Sequence, residues 1–417
     1  MGSAPDMQFS QSKRLIVCCD GTWEDSTSDD SQPPTNVTRI CRALSRNAVV
    51  EENGEKRLVP QIVYYQKGVG TGFGNRLWGG ATGLGLSAHV RSAYAFLADN
   101  YNDGDKIYFF GFSRGAYTAR ATAGLVTDMG LLTSRGMDNF STVYHDYYTH
   151  KLDGYDAETR RRLGFRDPLP RFTVEIIGVW DTVGFHDFWL TRWLFGEEFE
   201  RRNARLSSDI RYVFHALALD EQRTAFQPLL WHLPVKSDEQ ELLQVWFSGV
   251  HTDVGGGAAD PRLSNIALAW MIAQCTKHDQ LSFDLSYFFD EPAPAVEADA
   301  TPWATSKGPN RSSSIFQFLE ALLGGTSLRR PLRYGNGRKG DWRITNEALH
   351  ESIQDRNCFG KTSRSVRWPC KVLKARKSAA TWLLSDRQEI RQVQASETEK
   401  FFKGRIRTVH PLQVDPA

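Results

Sequence analysis

The sequence predicts an α/β protein built on a mostly parallel, doubly wound sheet. Three observations carry that prediction. Short apolar runs, of the kind buried on both faces of a parallel sheet, recur along the chain and alternate with helical patterns. These runs end in turns rich in glycine and polar residues. The polar residues with chemical potential fall just past the C-terminal ends of the runs, where open α/β sheets bind their ligands.

The first strand is Arg14-Leu-Ile-Val-Cys-Cys19, closed by the turn Asp20-Gly21-Thr22-Trp23. Adjacent side chains of a strand point to opposite faces, so Cys18 and Cys19 are expected as small residues of two cores. A helix follows over residues 36–46, with Asn36 as its expected N-cap. A second strand spans 61–65. After it comes a glycine-dense stretch, 68–85, and then a helix over about 87–101. Residues 106–110 form the third clear strand and lead into a helix rich in small residues, 116–125. Later strands are expected at 172–180, ending at Asp181, and at 242–247, ending in Ser248-Gly-Val-His-Thr-Asp253. A helix over about 264–277 follows. The catalytic unit is read as 12–360, with insertions at about 136–170, 185–240 and 281–340. Residues 361–417, basic and apolar in alternation, read as a C-terminal extension packed on that unit as helices.

Composition removes several function classes. Hydrophobic residues make up 41% and charged residues 24%, enough to build a large core without disulfide or metal staples. A net charge of +2 gives no basic field for nucleic acid. Six cysteines without a CxxC pair support neither a zinc knuckle nor a thiol redox motif. The run 68–74 reads GxGxGxG, without the GxGxxG spacing or the GK[ST] of nucleotide sites, so no cofactor or metal is expected. No apolar run reaches 18 residues, and residues 1–11 lack the apolar centre of a secretory signal. The expectation is a cytoplasmic protein without a transmembrane segment. The aromatic run 185–195 is open to two readings, a lid for peripheral membrane or apolar substrate contact, or a packed insertion.

The chemistry starts at Gly111-Phe112-Ser113-Arg114-Gly115, a GxSxG pentapeptide. It follows an apolar strand and precedes a helix, the context that makes the serine a nucleophile at a strained turn. Serine needs a base, and the base needs an orienting carboxylate. In chain order these come as Ser, Asp, His. One assignment is Ser113, Asp253 and His350. It counts Asp253 as ending the second strand after the nucleophile strand. The other pairs Asp181 with His251. The oxyanion hole requires two converging donors. The Arg114 backbone N–H is one. The loop Asp20-Gly21-Thr22 is expected to supply the other through Gly21 or Thr22, with Asp20 beside the site.

Five motifs resemble one family. They are Cys19-Asp-Gly-Thr-Trp23, Gly111-Phe-Ser-Arg-Gly-Ala-Tyr-Thr-Ala-Arg120, Gly178-Val-Trp-Asp-Thr-Val-Gly184, His215-Ala-Leu-Ala-Leu-Asp-Glu221 and Gly249-Val-His-Thr-Asp-Val-Gly-Gly-Gly257. The family is the largely uncharacterised α/β-hydrolase domain family that includes the phospholipase effectors of type VI secretion. The resemblance covers about residues 13–258, and His350-Glu-Ser-Ile353 resembles a later histidine motif. It implies an α/β-hydrolase fold with helical cap insertions, hydrolysis of a lipid-like ester, and a triad of Ser113, Asp253 and His350. Two positions depart from it. Ala258 stands where the family commonly has an aromatic residue, and Ser248 where it has proline. Three functions stay open at this point. The first is ester hydrolysis through an acyl-enzyme on a small-molecule or lipid ester. The second is acyl transfer or ring closure at the same site. The third is a non-catalytic binding scaffold. The extension leaves room for a homodimer contact.

Overall fold

The computed structural model describes residues 8–21, 33–68, 83–184, 204–233, 239–258, 260–277, 280–288, 327–334, 345–355, 373–378, 381–384 and 389–402. In chain order the strands are β1 (Arg14–Cys19), β2 (Asn47–Glu52), β3 (Glu55–Gln66), β4 (Lys106–Phe112), β5 (Val174–Trp180), β6 (Ile210–Ala218), β7 (Glu241–Phe247), β8 (Glu347–His350), β9 (Leu373–Ser378), β10 (Thr381–Leu384) and β11 (Glu389–Val393). The helices are α1 (Asn36–Ala43), α2 (Gly83–Asn100), α3 (Ser113–Met129), α4 (Phe140–Tyr148), α5 (Ala157–Arg162), α6 (His251–Gly255), α7 (Arg262–Thr276), α8 (Ser352–Asp355) and α9 (Glu397–Phe402).

The strands form one sheet in the order β2-β3-β1-β4-β5-β6-β7-β8-β11-β10-β9. From β3 through to β11 every neighbouring pair is parallel. β2 joins one edge antiparallel to β3, and β10 and β9 close the other edge antiparallel. This is the mostly parallel α/β sheet expected. Because crossovers put helices on both faces, each strand feeds two cores. Leu15, Val17 and Cys19 of β1 pack with α2, α3 and α4, whereas Ile16 and Cys18 pack with α1 and α7. Small residues let α3 lie close on the sheet; Ala116, Ala119 and Ala123 are all fully buried. The first helix begins one residue earlier than its expected cap. Thr35 is the N-cap, its side chain accepting from the Thr38 N–H, and Asn36 instead donates to the Val254 and Ser264 carbonyls.

Two differences from expectation matter for the site. Ile210–Ala218 is not part of an insertion; β6 is a central strand between β5 and β7. Arg211 and His215 interrupt its apolar pattern. Arg211 pairs with Glu175 of β5 at 3.3 Å, and buried His215 bonds Gln244 of β7. Both polar side chains are satisfied only across the sheet. The C-terminal extension contributes strands rather than the expected helices, apart from α9. Along Glu389–Val393 exposed and buried residues alternate, the period of a half-buried strand.

Ile390 is 1% exposed and packs with Leu349 and Ile353 in a cluster beside β8. Ile390→Ala is expected to lower unfolding free energy by about 2–5 kcal/mol in chemical denaturation, through lost burial and a cavity. A smaller loss would mean that the extension is not part of the cooperative fold.

Candidate active site

Ser113 is the first residue of α3, directly after β4. Its φ is 57°, a left-handed conformation that a non-glycine residue adopts only under constraint. The constraint is visible at the flanking glycines. A Cβ at Gly111 would lie 2.6 Å from the Ala116 Cα, and one at Gly115 would lie 2.3 Å from the carbonyl oxygens of Cys19 and Asp20. The turn is therefore clamped between its own helix and the end of β1. A Cβ at Gly21 would come within 3.5 Å of the Ser113 Cβ, so the loop after β1 passes beside the serine.

One strand over, Asp181 follows β5 with a φ of 39°. Its carboxylate is fully buried and receives four hydrogen bonds. Oδ1 accepts from the Ala218 N–H at 3.0 Å and from Arg329 at 2.5 Å. Oδ2 accepts from His251 Nδ1 at 2.6 Å and from Arg329 at 3.0 Å. Burial pushes the Asp181 carboxyl up, but the Arg329 charge and the His251 bond outweigh it and hold it well below the usual carboxylate range.

His251 opens α6, just past β7. Its ring sits against Phe112, at 4.6 Å between centroids, and edge-on to Phe226 at 4.8 Å. Its backbone N–H donates to Glu221 Oε2 at 3.2 Å. With Nδ1 donating to Asp181, Nε2 is the unprotonated nitrogen of the neutral ring, and it is buried without a partner among the described residues. Burial lowers the proton affinity of the ring, and Asp181 offsets this only in part. Beneath the pair, His215 Nε2 accepts from the Thr182 N–H at 3.1 Å and its Nδ1 faces Gln244 Oε1 at 3.2 Å. Burial and the nearby Arg120 charge lower His215 to about 3, so it acts as a neutral brace.

The residues of the first sequence assignment stand elsewhere. Asp253 lies within α6, where Oδ2 accepts from the Val250 N–H at 3.0 Å, the arrangement of a helix N-terminal cap. His350 ends β8. Its Nδ1 contacts Ser352 Oγ at 2.8 Å and its Nε2 contacts Glu399 Oε2 at 2.8 Å, while its ring stacks on Phe247. Both nitrogens of His350 are thus engaged away from Asp253. The expected strand count omitted β6, which makes Asp253 follow the third strand after the nucleophile strand, and Asp181 the first.

Around the expected oxyanion hole, Arg114 is the second residue of α3, and amides in a first helical turn have no acceptor within their own helix. The Gly21 N–H donates to Asp20 Oδ1 at 2.7 Å. Asp20 also accepts from Thr35, Thr38 and Tyr65. Burial raises its proton affinity and these donors counter that. Asp20 therefore shapes the loop beside Ser113, and the Gly21 amide serves that loop. Thr22, the aromatic run 185–195 and glycines 70–74 lie outside the described residues. Arg329 and Glu221 were not anticipated as site residues. Glu221 ended a recognised motif, but Arg329 sits in a stretch without pattern.

Comparison with known proteins bears on this geometry. Residues 13–274 match the family described as the type VI secretion phospholipase effector Tle1-like catalytic domain. An uncharacterised protein of Saccharomyces cerevisiae is 29% identical over 248 residues, which is 54% of this chain and 33% of that protein. A Tle1 effector, solved bound to the VgrG spike of the type 6 secretion system, is 19% identical with a TM-score of 0.33, covering 61% of this chain and 52% of its own. An uncharacterised protein from Pseudomonas aeruginosa is 18% identical with a TM-score of 0.39, covering 65% and 47%. The chain thus spans a third to about half of the relatives it matches. No helix among the described residues is long and apolar enough to cross a membrane.

Gly115→Ala tests the clamp on the elbow. Its Cβ would meet two backbone carbonyls, so the variant is expected to lose about 1–3 kcal/mol of stability by denaturant titration. Unchanged stability would show that the elbow can relax.

Proposed function

The chain belongs to the Tle1-like phospholipase catalytic domain family, and from that premise we propose that it is a serine esterase acting on a lipid-like carboxylic ester. In this reading Ser113 is the nucleophile, His251 the base and Asp181 the orienting acid. The observation that carries the reading is the Asp181–His251 bond of 2.6 Å, with the opposite ring nitrogen without a partner among the described residues and the ring against Phe112, the residue before the serine.

The steps follow from these roles. Ser113 Oγ attacks the carbonyl carbon while its proton passes to His251 Nε2. The carbonyl oxygen takes up the negative charge, held by first-turn amides of α3 that include Arg114 N–H. The alcohol leaves with the proton from His251, and the acyl group stays on Ser113. Water then attacks, gives its proton to His251, and the acid departs as Ser113 regains that proton. Asp181 keeps Nδ1 protonated and stabilises the imidazolium in each half. Asp253 and His350 have structural roles here, as a helix cap and as a tie between β8 and α9.

Labelling with a fluorophosphonate probe tests the assignment. Wild type is expected to label, and Ser113→Ala to lose labelling completely. His251→Ala and Asp181→Asn are expected to slow labelling by about 10²–10⁴-fold. His350→Ala is expected to label at near the wild-type rate while losing stability, since it leaves Glu399 buried. If His350→Ala abolishes labelling and His251→Ala does not, the base is His350. Folded wild type that never labels would remove the enzyme reading.

The pH dependence follows from burial of His251. Its proton affinity is lowered in the fold, and only the neutral ring accepts the serine proton. The labelling rate is therefore expected to stay flat through the ordinary histidine range near 6.5 and to fall only below it. A rate that already falls above that range would contradict a buried base.

A further inference from the structure

We infer that Arg329 is a positioning residue of the Asp181–His251 pair, fixing the carboxylate and setting the pH at which His251 becomes available as a base. The inference rests on the triad reading above. Its guanidinium is 1% exposed and has four partners. Two are the oxygens of Asp181, at 2.5 and 3.0 Å. The others are the Ala218 carbonyl at 2.7 Å and the Phe226 carbonyl. One planar fork thus joins the end of β5, the end of β6 and the loop carrying a ring that contacts His251.

The segment that brings Arg329 in is anchored on both sides. The Ser327 N–H donates to the Gln222 carbonyl at 2.8 Å, and the Leu332 N–H donates to Glu347 Oε2 at 2.8 Å. A general hydrogen-bonding need of β6 would be met by a neutral donor. A cation is required by Asp181, whose charge would otherwise be buried opposite a neutral ring.

The consequence for His251 has a definite sign. A lone carboxylate strengthens the hold of the imidazole on its second proton. A cation on that carboxylate weakens the hold, so the base stays neutral to lower pH. The other charged or titratable groups facing the pair are Glu221, Arg223, His215, Asp220 and Asp253. Glu221 lies at the His251 backbone and is itself paired to Arg223 at 2.9 Å. Asp220 accepts from the Gly249 N–H at 2.6 Å, Asp253 caps α6, and His215 is neutral. Among these groups and Arg329, Arg329 is the cation in direct contact with Asp181.

The test compares full-length wild type, Arg329→Gln and Arg329→Lys, with folding checked by circular dichroism. Turnover of a p-nitrophenyl ester is followed against pH, and His251 is titrated by NMR in histidine-labelled protein. Removing the cation in Arg329→Gln is expected to raise both the His251 titration midpoint and the acid limb of kcat/KM by about one pH unit or more. Arg329→Lys keeps the charge but not the fork. It is expected to hold the wild-type acid limb while kcat falls about tenfold with KM unchanged. A folded Arg329→Gln with an unmoved His251 midpoint overturns the inference. So does a Lys variant with full kcat, which also decides the matter if the Gln variant does not fold. Loss of the triad reading would show differently, as wild-type turnover indifferent to Ser113→Ala, while the NMR titration still reports on Arg329.

Discussion

An ionised carboxylate removed from water has to find its compensation inside the protein, and at Asp181 that compensation is drawn from three parts of the chain. The last residue of β6 supplies one backbone donor, α6 supplies His251, and the late segment 327–334 supplies both arms of Arg329. Taking away one partner of such a group typically costs about 3–5 kcal/mol, because the other charge stays buried. The mutual positions of the ends of β5, β6 and β7 are therefore coupled to one side chain. The His251 ring is held where it is by the same bonds that make the buried charge tolerable.

The serine depends on a different constraint, which is steric. Ser113 and Asp181 terminate neighbouring strands, and both have positive φ. Neither conformation is comfortable for a residue with a side chain. At Ser113 the close approach of Gly115 to the carbonyls of Cys19 and Asp20 leaves the chain no wider path. At Asp181 the backbone N–H is taken by the Ala216 carbonyl at 2.7 Å while the carboxylate is held from the other side. Packing and hydrogen bonding over-determine both turns. They put two residues of positive φ at adjacent strand ends.

Much of this was legible in the sequence. The parallel strands announced themselves as apolar runs because both of their faces are buried, and the elbow did so because only glycine fits at 111 and 115. β6 and the strands of the extension were not legible, for different reasons. In β6 the buried His215 is made tolerable by Gln244 on the next strand, and Arg211 by Glu175 on the previous one. Those partners are 29 and 36 residues away in the chain, so the polar residues read locally as the end of a strand pattern. Missing β6 then displaced the count that pointed to Asp253. The strands of the extension were hidden by their short length.

What the sequence determined alone is the local chemistry and geometry: an α/β chain, a serine at the tight strand-to-helix turn of residues 111–115, and aspartates and histidines just past strand ends. Those features follow from periodicity and from the size of glycine, which act over a few residues. Which aspartate meets which histidine was decided only by tertiary structure. Asp181 and Asp253, or His251 and His350, are equivalent as residue types and similar in local context. They differ in what is brought against them from afar. The Arg329 guanidinium, 148 residues from Asp181 along the chain, marks one carboxylate as the permanently ionised one. Glu399, 49 residues beyond His350, occupies the nitrogen that a base would need. Contacts of that range are set by how the sheet closes its order, and no local pattern encodes them.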